Sequence, residues 1–334
     1  MYTSWFNNLF GFEERSPRQV RIHLEVDGTV LRSRKNGASY QIGVLETPSI
    51  GELRTRAGRL PVDGAPHGPI RVRNVVGEAG DLHADPRNAD ALFQVASQFN
   101  LLEMVSPSIS PEDGVTRYAS DRTQGPACAI AAGAATVYRN YFAMVDGKEG
   151  QDAGRQIDCP RDVHEALSPD GQPLWEMRNG YALPTAPTLT HFNQRFSELD
   201  EDGRDALRAA LRIGVHRDVE VARSASRHLV SQVFCSALPL SYSSADSPEW
   251  ESFARLILEA AYEGTLLAAV ENSSRNRGAP VYLTQLGGGA FGNRPGWIVA
   301  AMERAFDRLG ESGLDVRIVH YSRVRDRFRD LEHG

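Results

Sequence analysis

Residues 281–297, VYLTQLGGGAFGNRPGW, run from an apolar stretch (Val281, Tyr282, Leu283, Leu286) through Gly287, Gly288 and Gly289 to Ala290, Phe291, Gly292 and Asn293, with Pro295 opening a helix. A strand that enters a helix through glycines brings several backbone N–H groups to one point without side chains in the way, an arrangement suited to a phosphate or diphosphate. A second element of this kind lies upstream. Thr123, Gln124, Gly125 and Pro126 precede a run of small residues, Ala127, Cys128, Ala129, Ala131, Ala132, Gly133, Ala134 and Ala135. Proline at the first helical position leaves the free N–H groups of that helix pointing at whatever the preceding loop encloses. Just before it, Glu103 interrupts the apolar run 101–105, and a carboxylate in such a run must find a partner or a task. Each feature also has a plain structural explanation: glycines that only relieve a tight turn, a small-residue helix that only packs closely, and a salt bridge for Glu103.

The elements that must position these residues follow from the patterning. Residues 20–26 and 40–42 alternate around Asp27-Gly28, as a hairpin does. A Gly- and Pro-rich loop at 58–69 leads into a further alternating run at 70–76. Residues 81–100 are expected to be a helix, with Asp85 as N-cap and Pro86 at its first position. Residues 101–105 read as a buried strand, followed by a loop at 107–121 long enough to be functional. The pattern loosens between about 145 and 212, an inserted segment with one helix expected near 197–211, capped by Ser197. Strands are expected at 213–221, 229–240, 281–286 and 314–321, with helices at 248–270 and 297–309. Helix-strand alternation of this sort predicts an α/β sandwich of three layers with a mixed sheet, its later strands parallel. In such sheets ligands bind at the carboxyl ends of the strands, from which both glycine-containing loops depart. No linker of disordered composition sets residues 1–70 apart, so they are expected to be a strand-rich extension packed on the core domain at 71–325. The aromatic start, Trp5, Phe6, Phe10 and Phe12, fits that packing or a docking arm.

Composition narrows the function. The 334 residues are 41% hydrophobic and carry a net charge of −6 with no basic stripe, which argues against nucleic acid as a direct partner. The three cysteines have no C-x-x-C or Cys/His ligand spacing, so neither a disulfide framework nor a metal site is expected, and a reducing, cytoplasmic setting is. No apolar run approaches the about 18 residues of a membrane span, and the start lacks a secretory signal pattern. Phosphate-cradling GKS/T, nucleophile-elbow GxSxG and dinucleotide-binding GxGxxG patterns are all missing from their required contexts.

The segment LTQLGGGAFGNRPGWIVAAMERAF resembles the second ligand-binding loop and following helix of macrodomains, particularly their poly(ADP-ribose) glycohydrolase-like branch. Together with FNLLE, GVTRYASDRTQGPACA, VYRNYF and AYEGTLLAAVEN, taken in order, it is similar to the MavL type of secreted effector macrodomain, over roughly residues 74–321 apart from the insertion. The resemblance implies a macrodomain-like fold, ADP-ribose as ligand with no further cofactor, and removal of ADP-ribose from a protein side chain, with arginine, including one on ubiquitin, as acceptor. Delivery into a host cytosol would follow from the same likeness. Under it, residues 287–293 would hold the diphosphate and the distal part, with Phe291 beside a ribose or the adenine. Asn100 would bond the proximal ribose, and Asp121, Thr123, Gln124 and Gly125 would frame the scissile end. Glycosidic cleavage passes through an oxocarbenium-like state and needs a carboxylate; Glu103 and Asp121 are the first candidates and Glu263 the third. The chain lacks the Gly-Gly-Gly followed closely by Gln-Glu-Glu of poly(ADP-ribose) glycohydrolases, a departure that speaks against polymer cleavage. A non-catalytic reader of ADP-ribose and a partner-docking protein on a vestigial fold are the competing expectations.

Overall fold

The computed structural model describes residues 4–60, 67–243 and 247–334. The largely buried strands Leu229–Cys235, Leu92–Ala96, Val281–Leu283 and Asp315–His320 lie side by side, covered on both faces. They form the middle of a seven-stranded sheet in the order Val44–Glu46, Gly214–Glu220, Leu229–Cys235, Leu92–Ala96, Val281–Leu283, Asp315–His320, Arg71–Val76. The first two junctions are antiparallel and the remaining four parallel.

Side chains alternate across this sheet and divide the helices between its faces. On Leu229–Cys235, Ser231 and Cys235 reach Asn272 and Thr265 of the helix Glu251–Arg275. Gln232 and Phe234 point the other way, to Cys128 and Arg139 of the helices Gln124–Ala131 and Gly133–Tyr141. The result is the expected α/β architecture, a mixed sheet between two helical layers. The Glu251–Arg275 helix is apolar nearly all round because it is enclosed, by the sheet beneath it and by Pro295–Arg308, Ile50–Ala57 and Glu201–Ala210 around it.

Several expected elements come out differently. Residues 81–100 are not one helix: Ala79–Ala84 is helical, Asp85 does accept the Arg87 N–H at 3.0 Å, but it starts only the short 3-10 turn Pro86–Asn88. Asp90, at φ +64°, ends the turn, and Leu92–Ala96 becomes a central strand. An apolar run of that length has no decisive period, and here the two flanking strands made the choice. Residues 101–105 form no strand, because Leu101 at φ +65° turns the chain back. Pro17–His23 is a helix, capped by the Ser16 hydroxyl on the Gln19 N–H, so the hairpin Leu24–Asp27 with Val30–Ser33 begins later than the alternation implies. The insertion contains an unexpected helix, Ala186–Ser197, and its neighbour Glu201–Ala210 is capped by Asp200 rather than Ser197. Part of the loop expected at 58–69 lies outside the described residues.

Residues from the N-terminal region build the floor beneath the Glu103 segment. Phe6, Phe10 and Phe12 are buried in one apolar cluster with Leu102, Met104, Tyr118 and Tyr141. Trp5 and Leu9 pack where Gly133 has no side chain; a Cβ there would stand 2.7 and 2.8 Å from them.

Candidate active site

Where the chain leaves the Leu92–Ala96 strand it folds into a tight turn whose backbone groups are satisfied internally, as a buried loop requires. The Gln98 N–H donates to the Leu102 carbonyl at 3.0 Å, the Leu101 N–H to that of Gln98 at 3.0 Å, and the Leu102 N–H to the Asn100 side-chain oxygen at 3.1 Å. The Met104 N–H donates to Gln98 Oε1 at 2.6 Å, the Glu103 N–H to the Tyr118 hydroxyl at 3.0 Å, and the Tyr181 hydroxyl to the Met104 carbonyl at 2.6 Å. Glu103 is therefore fixed from both sides. The loop supplying Tyr118 is itself anchored by Glu14, whose carboxylate accepts the N–H groups of Val115 and Thr116 and the Tyr141 hydroxyl at 2.7–3.0 Å.

The turn opens on a cleft of about 640 Å³ at the carboxyl ends of the parallel strands Leu92–Ala96, Val281–Leu283 and Asp315–His320. One wall comprises Glu103, Asp121, Arg122, Thr123, Gln124 and Gly125, the other Gln285, Leu286, Gly287, Gly288, Gly289, Ala290 and Phe291. On the first wall, no side chain caps the helix Gln124–Ala131, so its leading N–H groups face the cleft region uncapped. On the second wall, Gly287 takes φ +69°, a conformation costly for any residue with a Cβ, and the loop closes on itself through the Asn293 N–H to the Gly287 carbonyl at 3.0 Å. The Asn293 amide also donates to the Leu238 carbonyl at 2.8 Å, tying the loop to the neighbouring strand end. Among the described residues, the N–H groups of Gly289, Ala290 and Phe291 meet no acceptor from the chain.

Glu103 is only 4% exposed, yet its Oε1 has no hydrogen-bond partner among the described residues. Burial drives its carboxyl well above the ordinary carboxylate range; the Arg139 charge opposes that rise and Asp121 adds to it. The carboxylate lies against Gly125: a Cβ at that position would overlap both Glu103 Oε2 and the Ala96 carbonyl. The glycine in TQGP is thus needed for close approach of helix to carboxylate. Asp121 lines the cleft beside it and folds back to accept the Thr123 N–H at 2.8 Å.

The cleft thus gathers Glu103, Asp121, Thr123, Gln124, Gly125 and residues 287–291. Four residues expected at the ligand stand elsewhere. Asn100 is fully buried and spends its side chain on Leu102 and Gln156. Gly292 and Asn293 shape the second loop from behind. Glu263 lies on the Glu251–Arg275 helix among Arg54, Arg304 and Arg308, at 2.6, 2.8 and 3.2 Å, and lines no part of the cleft. Glu263, expected as a catalytic carboxylate, is instead a buried acceptor for partly exposed arginines, away from the lining of the cleft.

Other cleft residues were not anticipated. Tyr181 and Tyr242 join the expected Phe291 in an aromatic group with ring centroids 5.4–6.1 Å apart. His320 and Tyr321 end the Asp315–His320 strand; the His320 ring bridges Gln285 and Asn74 at 2.9 and 2.7 Å, and burial followed by the Arg325 charge lowers its pKa. Arg122, Arg323 and Arg325 are exposed at the cleft and have no carboxylate partner among the described residues. The parallel-strand rule that flagged the loop after Leu286 applies equally to the chain after His320, and would have pointed to this third group.

No family model matches the sequence, and no curated protein matches it. Solved structures of bacterial poly(ADP-ribose) glycohydrolases are similar in overall arrangement. That of Deinococcus radiodurans in complex with ADP-ribose is 11% identical, with a TM-score of 0.44 over 86% of this chain and 94% of that one. The Thermomonospora curvata enzyme is 12% identical, at 0.42 over 91% and 90%. Its form bound to the inhibitor ADP-HPD is 10% identical, at 0.41 over 92% and 90%.

Proposed function

We propose that the cleft binds ADP-ribose and that the protein is a glycohydrolase releasing it from a protein side chain, with Glu103 as the catalytic carboxylate. The observation that carries this reading is a buried glutamate with an unpaired oxygen, on a turn whose backbone is hydrogen-bonded, in a cleft with backbone N–H groups on two walls. An elongated dianion is the ligand class such walls suit, and unpaired Arg122, Arg323 and Arg325 add positive charge at the cleft of a chain that is acidic as a whole. A carboxyl displaced upward by burial is a more effective base near neutral pH than an ordinary one. In the reaction, water adds to the anomeric carbon and Glu103 takes its proton. The C–N bonding pair departs with the side-chain nitrogen, and the carboxylate offsets the positive charge that develops on the ribose ring. The sequence resemblance supports mono-ADP-ribose on arginine, with ubiquitin as a carrier, and Asp121 as the second carboxylate at the scissile end.

Ubiquitin carrying ADP-ribose on an arginine, incubated with the protein and weighed intact, should lose the ADP-ribose mass, and the Glu103→Gln variant should leave it in place. An unchanged mass with tight ADP-ribose binding would instead support a reader. An unchanged mass without binding would sink both.

A further inference from the structure

Arg139 is fully buried in the helix Gly133–Tyr141 and has no carboxylate within ion-pair distance among the described residues. A guanidinium removed from water without a counter-ion is costly, so its retention asks for a reason. Its contacts supply one. Nε donates to the Leu101 carbonyl at 3.2 Å, Nη2 to the Thr136 hydroxyl at 2.8 Å and Nη1 to His216 Nδ1 at 3.2 Å, and the guanidinium lies 3.9 Å from the centre of the Phe234 ring. Leu101 is the non-glycine residue at φ +65° that reverses the chain two positions before Glu103. Its side chain packs where Gly214 has none; a Cβ there would stand 2.6 Å from Leu101 Cδ1. A backbone in that conformation persists only when its surroundings hold it.

We propose that Arg139 is a positioning residue for Glu103: its guanidinium locks the Leu101 carbonyl and hence the turn delivering the glutamate, and places a cation beneath that turn. This rests on the reading of Glu103 as the catalytic base. The charges that bear on Glu103 are those of Arg139, from its helix, and Asp121, from the loop before Gln124; Tyr118, Cys128 and Tyr181 also interact with it, but burial raises the pKa of each and leaves it uncharged near neutral pH. Only Arg139 among them is cationic. His216, neutral because burial and Arg139 both hold its pKa well below the ordinary value, accepts the Nη1 proton and contributes no charge.

Arg139→Met and Arg139→Lys, assayed on ADP-ribosylated substrate across pH beside the wild type, separate this from a packing role. Arg139→Met should lower kcat by about 100-fold, the scale of a small misplacement of a catalytic group, with ADP-ribose affinity within about threefold. It should also move the acid limb of the kcat profile to higher pH, because removing a cation disfavours the carboxylate anion. Arg139→Lys, which keeps the charge but not the fork of donors, should return the acid limb to its wild-type position while kcat stays reduced. Unchanged kcat and profile in Arg139→Met, with only a lower Tm, would overturn the proposal. Should that variant not fold, Thr136→Val loosens the guanidinium without removing its charge, and an unaltered kcat there would overturn it as well. A wild type that binds ADP-ribose but turns over no substrate would remove the underlying reading, a result visible before any variant is made.

Discussion

Glu103 and Glu263 are both buried glutamates, 4% and 1% exposed, and the sequence marks both as candidate catalytic groups. Glu263 receives Arg54, Arg304 and Arg308 on its two oxygens, within a cluster that also holds Asp205, Glu259 and Arg208. Burial pushes its carboxyl up, but the hydrogen bonds from Arg54 and Arg304 outweigh that and hold it below the usual range. Glu103 has burial without a paired cation, one oxygen unsatisfied, and a carboxyl displaced upward. Desolvation acts on both; the partner decides. A fully engaged carboxylate is part of the framework, and one left short of partners beside a cleft is free to exchange a proton.

The contrast can be broken most directly at Glu103 itself. Glu103→Gln should reduce turnover by about 10²–10⁴-fold, the usual range for removing a general base, while ADP-ribose binding by calorimetry persists. A comparable loss from Glu263→Gln would erase the difference between the two glutamates. Glu263→Ala should leave kcat unchanged and lower stability by about 1.5–3 kcal/mol in urea unfolding, the scale of hydrogen bonds to a charged group, because partly exposed Arg54, Arg304 and Arg308 keep Asp205 as a partner. Gly125→Ala comes next: the methyl group would overlap both the Ala96 carbonyl and the Glu103 carboxylate, so the helix start and the carboxylate must move apart. A loss of about 100-fold in kcat is expected, read in single-turnover assays.

The smallest effect is on stability against pH, and the two glutamates should differ in sign. The folded-state pKa of Glu103 is raised above its ordinary value near 4.5. Stability is therefore lost progressively as pH climbs above that value, until the buried group ionises. Glu103→Gln should be more stable than wild type at neutral pH, with the advantage vanishing below about pH 4. The folded-state pKa of Glu263 is lowered, so its contribution is present above the ordinary value and disappears as pH falls through the lowered one. Paired denaturation curves for the two Gln variants from acid to neutral pH would expose parallel rather than opposed trends, were the assignment mistaken.

A further test uses the support beneath the site. Glu14 holds the loop of Tyr118 and Asp121 through two hydrogen bonds, from more than 100 residues upstream, and accepts a third from the Tyr141 hydroxyl of the neighbouring helix. Glu14→Ala should lower kcat by a smaller factor than Gly125→Ala, because Tyr118 keeps its own packing in the apolar cluster with Phe6 and Phe10. Equal losses would mean that the loop, and not the glycine, sets the position of Glu103.

The α/β architecture was legible because its strongest signals are local. The long apolar helix near 251–275, the parallel strands at its sides and the proline-opened helix at 295 all announce themselves in composition and spacing. The glycine loop at 287–289 and the TQGP helix start are likewise local, since φ and helix capping depend on immediate neighbours. What the sequence could not say was which apolar run would be taken up by the sheet. Leu92–Ala96 became its central strand because two strands from far along the chain bracket it. Nor could it take Glu263 away from the site, place Asn100 away from the cleft, or show Arg139 as a buried cation beneath the turn. Those outcomes depend on partners 38 to 209 positions distant, such as Leu101 for Arg139 and Arg54 for Glu263. Backbone conformation is chosen residue by residue, whereas desolvation and charge pairing are settled only when distant segments meet.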